Sequence, residues 1–496
     1  MVKVAFVTPE LQLLVRRSRL AGAAQDLAVH LRKAGADVRV FLPAAKGLDF
    51  EALSDLEVFG EVSVEDRADG RLRKQIFRIR GGKLGNLPVY LVEHPRLFGE
   101  RFPYGDENGP YGDNWYRYAL FTRAVLGALD LLSFEADVLH GLDWTAGLLP
   151  LLHQLELPKL PEGHFLHRAG TFYSVLNLAM QGEFEREILT KIGIPTENFR
   201  HSGGVELAGK VNFLKAGVEF ATIVGTHSPS HARVIQTRDR GYGLEDSFEG
   251  RKKELVGIHN GIDFESWNPA ADPLIPANFS GAARGLAGKS RCKASLQEAL
   301  QLDISEKSLL ACHIGRWDAD SGFDLLAEVI GNVLERDIEL VVMGAGGEGI
   351  TRRMKTIQGT FVGRMRVLSG YDAAAAHRLV AGADLLLLPS HYQPANPLFA
   401  VGMRYGVVPL VYAQGGLEDV VPDVEADPKG GLGFHFSPYT GDGLLAGLMR
   451  AKETFESEKA WNAVQRRGLE QDFSREHTAA EYLKAYRRVT RRVRGR

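Results

Sequence analysis

The stretch ADLLLLPSHYQPANPLFAVGMRYG, residues 383–406, decides how the rest of the chain is read. Leu385 to Leu388 form a short, continuous apolar run of strand length, and the residues after Pro397 read as a helix. A strand that passes through a tight turn into a helix N-terminus is where α/β enzymes hold phosphates. This turn, however, carries prolines, an uncharged glutamine at Gln393, and no glycine.

The same alternation extends in both directions. Towards the N-terminus, VKVAFVT (2–8) and DVRVFLP (37–43) read as strands around a helix from Leu20 to Lys33. LEVFGEVSV (56–64), QIFRIRG (75–81) and LPVYLVEH (87–94) are further strands. A long helix from Trp115 to Leu132 precedes the strand ADVLHG (136–141), and the helical VNFLKAGVEFA (211–221) precedes the strand TIVGTHS (222–228). Ser228 and Pro229 then make an N-cap and N1 pair for another helix. Turn residues interrupt the pattern in HNGIDFESWNPAAD (259–272). It resumes with LLACHIGR (309–316), a helix over 322–335, IELVVMG (338–344), MRVLSG (365–370), VVPLVYA (407–413) and the helix GLLAGLMRAKETF (443–455). Apolar, β-branched runs between helices predict an α/β fold with parallel sheets covered on both faces. The simplest arrangement is two doubly wound, Rossmann-like domains with a boundary near 250–262. Ligands in such folds sit beyond the carboxyl ends of the strands, so the loops there are the places to search.

Composition narrows the function classes. The chain has 496 residues, 45% hydrophobic and 25% charged, with a formal net charge of -2. These are ordinary values for a soluble globular protein, and nothing global points to nucleic acid. No apolar run is long enough for a transmembrane helix, and the N-terminus reads as a strand, not a leader. The two cysteines, Cys292 and Cys312, make neither a disulfide framework nor a four-cysteine zinc site, so a reducing cytoplasm is the expected location. The arginine-rich tail at 487–496 reads as a solvated helix end.

GAGGEG at 344–349 matches the dinucleotide fingerprint G-x-G-x-x-G, follows a strand and precedes a helix, with Asp372 further on as the acidic partner. Alone it would suggest a dehydrogenase. It is read as falling on the third or fourth strand of its domain, not the first, and a glycine turn that lets a strand enter a helix explains it as well.

Longer stretches carry a resemblance. NFLKAGVEFATIVGTHSPSHARVIQT (212–237), HNGIDFESWNPAAD, GYDAAAAHRLVAGADLLLLPS (370–390) and YGVVPLVYAQGGLEDVV (405–421) together resemble bacterial glycogen and starch synthases. So do ADVLHGLDWTAGLLP (136–150), FYSVLNLAMQGEF (172–184) and QDFSREHTAAEYLKAYRR (471–488), and all occur in family order. The resemblance implies a GT-B fold, two Rossmann-like domains with the donor cleft between them. They would span residues 1–255 and 256–470, with 471–496 forming a helix that crosses back to the first. It implies transfer of glucose from ADP-glucose to the non-reducing end of an α-1,4-glucan with retention of configuration. Neither metal nor cofactor is implied, ADP-glucose being the co-substrate, and neither nucleic acid nor membrane is an expected partner.

The chemistry states what such a site needs. As ADP leaves, negative charge builds on the diphosphate and positive charge on the sugar, so cations and backbone N–H groups must meet the first and polar groups the second. Arg316 matches the family arginine that meets the diphosphate, whereas Ser321 stands at the position of its lysine; surface pairing of Arg316 with Asp318 or Asp320 is the alternative. Tyr371 matches the aromatic residue beside adenine, or is a core tyrosine. Gly415, Gly416 and Leu417 match a glycine turn whose backbone meets phosphate. Gln393 replaces the glutamate that contacts the sugar, Asn396 replaces a glycine, and Pro397 removes an N–H while suiting the first turn of a helix. In the first domain, Arg16 matches the lysine of the loop after the first strand, and Ser18 and Arg19 replace its glycine pair. Leu176 replaces a histidine, and Asn177 is retained. Asp143 is read as a contact to glucose or acceptor, or as a helix N-cap. Two readings follow: an active glucosyltransferase whose altered donor site takes ADP-glucose or another nucleotide sugar, or a catalytically silent relative that binds glucan or nucleotide or regulates a partner enzyme.

Overall fold

The computed structural model describes all residues except Arg19, Arg67, Asp69, 281–285, 393–395, Gly415 and Arg496. The chain forms two compact units, Met1–His259 together with Arg475–Arg496, and Asn260–Ser474.

The first unit is built on β1 (Lys3–Val7), β2 (Asp37–Pro43), β3 (Ser54–Asp66), β4 (Arg73–Leu84), β5 (Leu87–Glu93), β6 (Val138–Leu142), β7 (Gly170–Val175), β8 (Ile223–Thr226) and β9 (Leu255–Gly257). They form one sheet in the order β9-β8-β7-β6-β1-β2-β5-β4-β3. From β9 to β5 every neighbouring pair is parallel. Along β1, Val4 and Phe6 pack into one apolar layer and Ala5 and Val7 into the other, which is why the run is continuously apolar. The expectation of a parallel sheet fails at one edge, where β3, β4 and β5 are antiparallel. Only residues 67–72 and 85–86 join these strands, too few for the crossover that a parallel pair requires. Helices α1 (Leu20–Lys33), α2 (Asn114–Leu131), α3 (Phe213–Phe220) and α4 (Pro229–Val234) cover the sheet. Asn212 caps α3 by accepting from Lys215 N, and Ser228 caps α4 by accepting from His231 N, with Pro229 in the first turn.

The second unit carries β10 (Leu309–Trp317), β11 (Ile338–Gly346), β12 (Met365–Ser369), β13 (Leu385–Leu388), β14 (Val408–Tyr412) and β15 (Phe434–Phe436). All pairs in its sheet are parallel, in the order β12-β11-β10-β13-β14-β15, with an apolar layer on each face. Helices α5 (Phe323–Leu334), α6 (Glu348–Thr360) and α7 (Leu398–Arg404) follow β10, β11 and β13. GAGGEG thus lies at the end of the second strand of its unit, not the third or fourth. Its first glycine answers to packing: a Cβ on Gly344 would lie 1.7 Å from the Gly315 carbonyl oxygen on β10.

The chain then returns to the first unit as α8 (Arg475–Arg494). Tyr482 and Tyr486 bury their rings around His140 of β6. His140 Nδ1 lies 2.7 Å from the Tyr486 hydroxyl and Nε2 lies 2.8 Å from Ser174 Oγ. Burial pushes the pKa of this imidazole down to about 3, so it is neutral. The arginine-rich tail is more than a solvated end. Val489 is fully buried, Arg492 pairs with Glu254 at 2.7 Å, and Arg488 donates to the Lys253 carbonyl.

Candidate active site

In the first unit the polar groups gather at the carboxyl ends of β1, β6, β7 and β8. Asp143 follows β6 directly, with φ 51°, a conformation that non-glycine residues adopt rarely. Its side chain makes no helix-cap bond, so the N-cap reading does not hold. Instead Oδ1 accepts from Leu176 N (2.7 Å) and Asn177 N (3.1 Å) in the loop after β7. Asp143 is 5% exposed, and burial raises its carboxyl to about 7; the two amide bonds pull the other way without offsetting it. Asn177 is exposed, its Oδ1 accepting from Ala179 N at 3.0 Å. The loop is held from β8 as well: Thr226 Oγ1 donates to Val175 O (3.0 Å) and His227 Nε2 to Leu176 O (2.7 Å). Burial lowers the His227 pKa, which leaves the ring neutral and able to donate through Nε2.

The loop after β1 is organised around Glu10, which the sequence reading missed. Its carboxylate is fully buried and accepts from Arg17 N (2.6 Å), Ser18 N (3.1 Å), the Ser18 hydroxyl and the Tyr104 hydroxyl (2.6 Å). Burial, and then the negative Glu10, hold the Tyr104 phenol protonated. A lone acidic residue just past an apolar strand was the available signal for Glu10. Nothing near it in sequence announces Tyr104. Arg17 stacks its guanidinium on Phe102 at 4.1 Å. Arg16 is exposed and, among the described residues, has no partner.

In the second unit the expected residues follow β10, β12, β13 and β14. Arg316, near the end of β10, has a side chain 65% exposed and pairs with Asp318 (3.2 Å) and Asp320 (3.7 Å). Ser321 is buried in the same turn. Its hydroxyl donates to the Arg316 carbonyl (2.5 Å), with the Asp318 carbonyl at 2.9 Å, and its N–H donates to Asp318 Oδ1 (3.0 Å). Tyr371 is 67% exposed, which removes the core-tyrosine alternative. Gly416 has φ +90°, a region that favours glycine, and its N–H donates to Glu418 Oε2 at 2.7 Å. Leu417 is buried and anchors this turn in the core. Gln393 and Gly415 lie outside the described residues. On the far side of Gln393, Asn396 Oδ1 accepts from Leu398 N (2.9 Å), the first residue of α7, and Pro397 between them stands at the N-cap position. The structure therefore joins Asp143 with Asn177, and Arg316 with Ser321, through direct hydrogen bonds or a shared turn.

Among the described residues, no group of three or more His, Cys, Asp or Glu is placed to hold a metal ion, and no helix is long and apolar enough to cross a membrane.

Known proteins resemble this arrangement over the whole chain. Residues 3–250 match the starch synthase catalytic domain family. A glycogen synthase of Geotalea uraniireducens is 34% identical over 486 residues, 98% of each chain. One from Anaeromyxobacter dehalogenans is 38% identical over 406 residues, 82% of this chain and 84% of that one. Among solved structures, the catalytic domain of starch synthase IV from Arabidopsis thaliana, bound to ADP and acarbose, superposes with a TM-score of 0.77 at 28% identity, covering 99% of both chains. Sucrose-phosphate synthase from Thermosynechococcus elongatus shares the fold alone, with a TM-score of 0.54 at 13% identity. With two Rossmann-like units in the GT-B pattern and relatives this similar along nearly its full length, the chain belongs to the glycogen and starch synthase family of glycosyltransferases.

Proposed function

We propose that this protein transfers glucose from ADP-glucose to the non-reducing end of an α-1,4-glucan, with retention of configuration and without a metal or other cofactor, in the cytoplasm. The observation that carries the reading is the likeness, over 99% of both chains, to a starch synthase solved with ADP and acarbose. The local chemistry is in keeping with it. Asp143 and the Asn177 loop supply polar groups to orient a sugar or an acceptor, and the Arg316 side chain is exposed where a diphosphate would need a cation. Tyr371 offers an exposed ring to adenine, and the Gly416 N–H, which donates to Glu418, is the backbone donor this reading assigns to phosphate.

One observation favours the second reading, a silent relative that binds glucan or nucleotide. Arg316 is already answered by two carboxylates, and Ser321, at the lysine position, turns its hydroxyl into its own turn. Incorporation of labelled glucose from ADP-glucose into glycogen by the purified protein separates the two. Turnover supports the enzyme; no incorporation by folded protein, with UDP-glucose also offered, supports the silent relative.

A further inference from the structure

The loops at the carboxyl ends of β10 and β14 share a property: their anion-seeking groups already hold anions that belong to the chain. At β10, Asp318 bridges two of them, Oδ2 lying 3.2 Å from Arg316 Nη1 and Oδ1 accepting from Ser321 N at 3.0 Å. Asp320 adds a second carboxylate, 3.7 Å from Arg316 Nη2. At β14, Glu418 Oε2 accepts the Gly416 N–H at 2.7 Å. These strands flank β13 in the sheet, one on each side. Residues 316–321 thus carry one cation against two carboxylates.

We propose that Asp318, Asp320 and Glu418 set the affinity of this unit for a diphosphate by acting as internal competitors for the groups that bind it. The inference rests on the donor reading given above and adds to it which residues limit donor binding. A diphosphate has two ways to gain those groups. It displaces the carboxylates, of which Asp318 and Asp320 hold Arg316 in solvent-exposed, individually weak pairs while Glu418 holds Gly416 in a part-buried bond, or it binds beside them and meets their repulsion. Either way, removing the internal charge strengthens binding, and does so more at low ionic strength, where surface charges are least screened. The side chains involved are held loosely: those of Arg316, Asp318 and Asp320 are 65%, 37% and 88% exposed, so neutralising the acids leaves the fold intact.

Calorimetry with ADP and with inorganic pyrophosphate tests this on four full-length proteins: wild type, Glu418→Ala, the double variant Asp318→Asn with Asp320→Asn, and Glu425→Gln. Glu425 is an exposed carboxylate paired with Arg450 and serves as the control for a general loss of charge. Asparagine at 318 keeps an oxygen for the Ser321 N–H, and thermal melting confirms folding. The expected result is a Kd lower by about fivefold for Glu418→Ala and by about tenfold for the double variant, with a smaller gain at high salt and none for Glu425→Gln. Equal affinities in all four proteins, weaker binding in the variants, or no binding of either probe to any protein overturns the inference. Failure of the donor reading has a different signature: tighter binding in the variants with no glucose transferred by any protein. Glucose transfer with unchanged affinities leaves the donor reading standing and the inference overturned.

Discussion

The two units present their candidate site residues in opposite ways. In the first, the key carboxylates are buried and fastened: Glu10 is fully covered and holds four donors, and Asp143 is 5% exposed and grips two backbone amides. In the second, Arg316 and Tyr371 stand in solvent, 65% and 67% exposed, although Ser321 and Leu417 are buried. Buried carboxylates with satisfied bonds fix geometry, and their loss is felt in folding. Exposed groups act only on what binds, and their loss leaves stability almost unchanged. Shape is therefore held in the first unit, and in the donor reading proposed above the second is where ligand affinity would be adjusted.

The contrast breaks most readily at Asp143. Its carboxyl is raised from an ordinary 3.8 to about 7, so the folded state binds the proton more tightly than the unfolded state does. The stability this contributes is fully present below pH 4 and is lost as pH rises through 7. Asp143→Asn lacks that dependence, so between pH 4 and pH 8 the variant should gain up to about 4 kcal/mol relative to wild type. Urea unfolding of both proteins across that range is the measurement; parallel curves would show that Asp143 is not buried as a neutral acid. Glu10→Ala should follow, with a loss of about 3 kcal/mol, because the Tyr104 hydroxyl and two backbone amides lose their acceptor. Glu10→Gln, which keeps an acceptor, should recover part of it. Arg316→Ala tests the opposite pole: ADP binding about tenfold weaker by calorimetry, with a stability change under about 0.5 kcal/mol. The smallest effect belongs to Tyr371→Ala, with ADP affinity reduced about fivefold if the ring stacks on adenine and no measurable change in melting. A large fall in melting temperature for either second-unit variant would erase the distinction between the units.

Most of the fold was legible because buried parallel strands write themselves as apolar runs. Lys3–Val7, Asp37–Pro43 and Leu385–Leu388 could hardly be read otherwise, and Leu20–Lys33 ended where its pattern ended. The antiparallel edge was not legible, since direction is a property of the connection and not of the strand. The site was read unevenly for a related reason. Residues that differ from a family pattern, such as Ser321 and Leu176, stand out by position. What they now do depends on partners remote in sequence: Leu176 is held by Asp143 and by His227, which lies after a different strand. Tyr104 meets Glu10 across 94 residues and has no local signature. The GAGGEG fingerprint misleads because close strand packing and dinucleotide binding both call for a residue without a Cβ.

Helix α8 has a consequence in time. It belongs to the first unit, yet the ribosome makes it only after the whole of the second, Asn260–Ser474. At synthesis rates of about 5–20 residues per second, that delay is on the order of ten to forty seconds. Through that interval His140, Phe172 and their neighbours lack the cover that Tyr482 and Tyr486 later supply. The second unit has all its strands before the first is complete. Ribosome-stalled chains ending before Arg475 should therefore be more protease-sensitive in residues 138–175 than chains that include the helix.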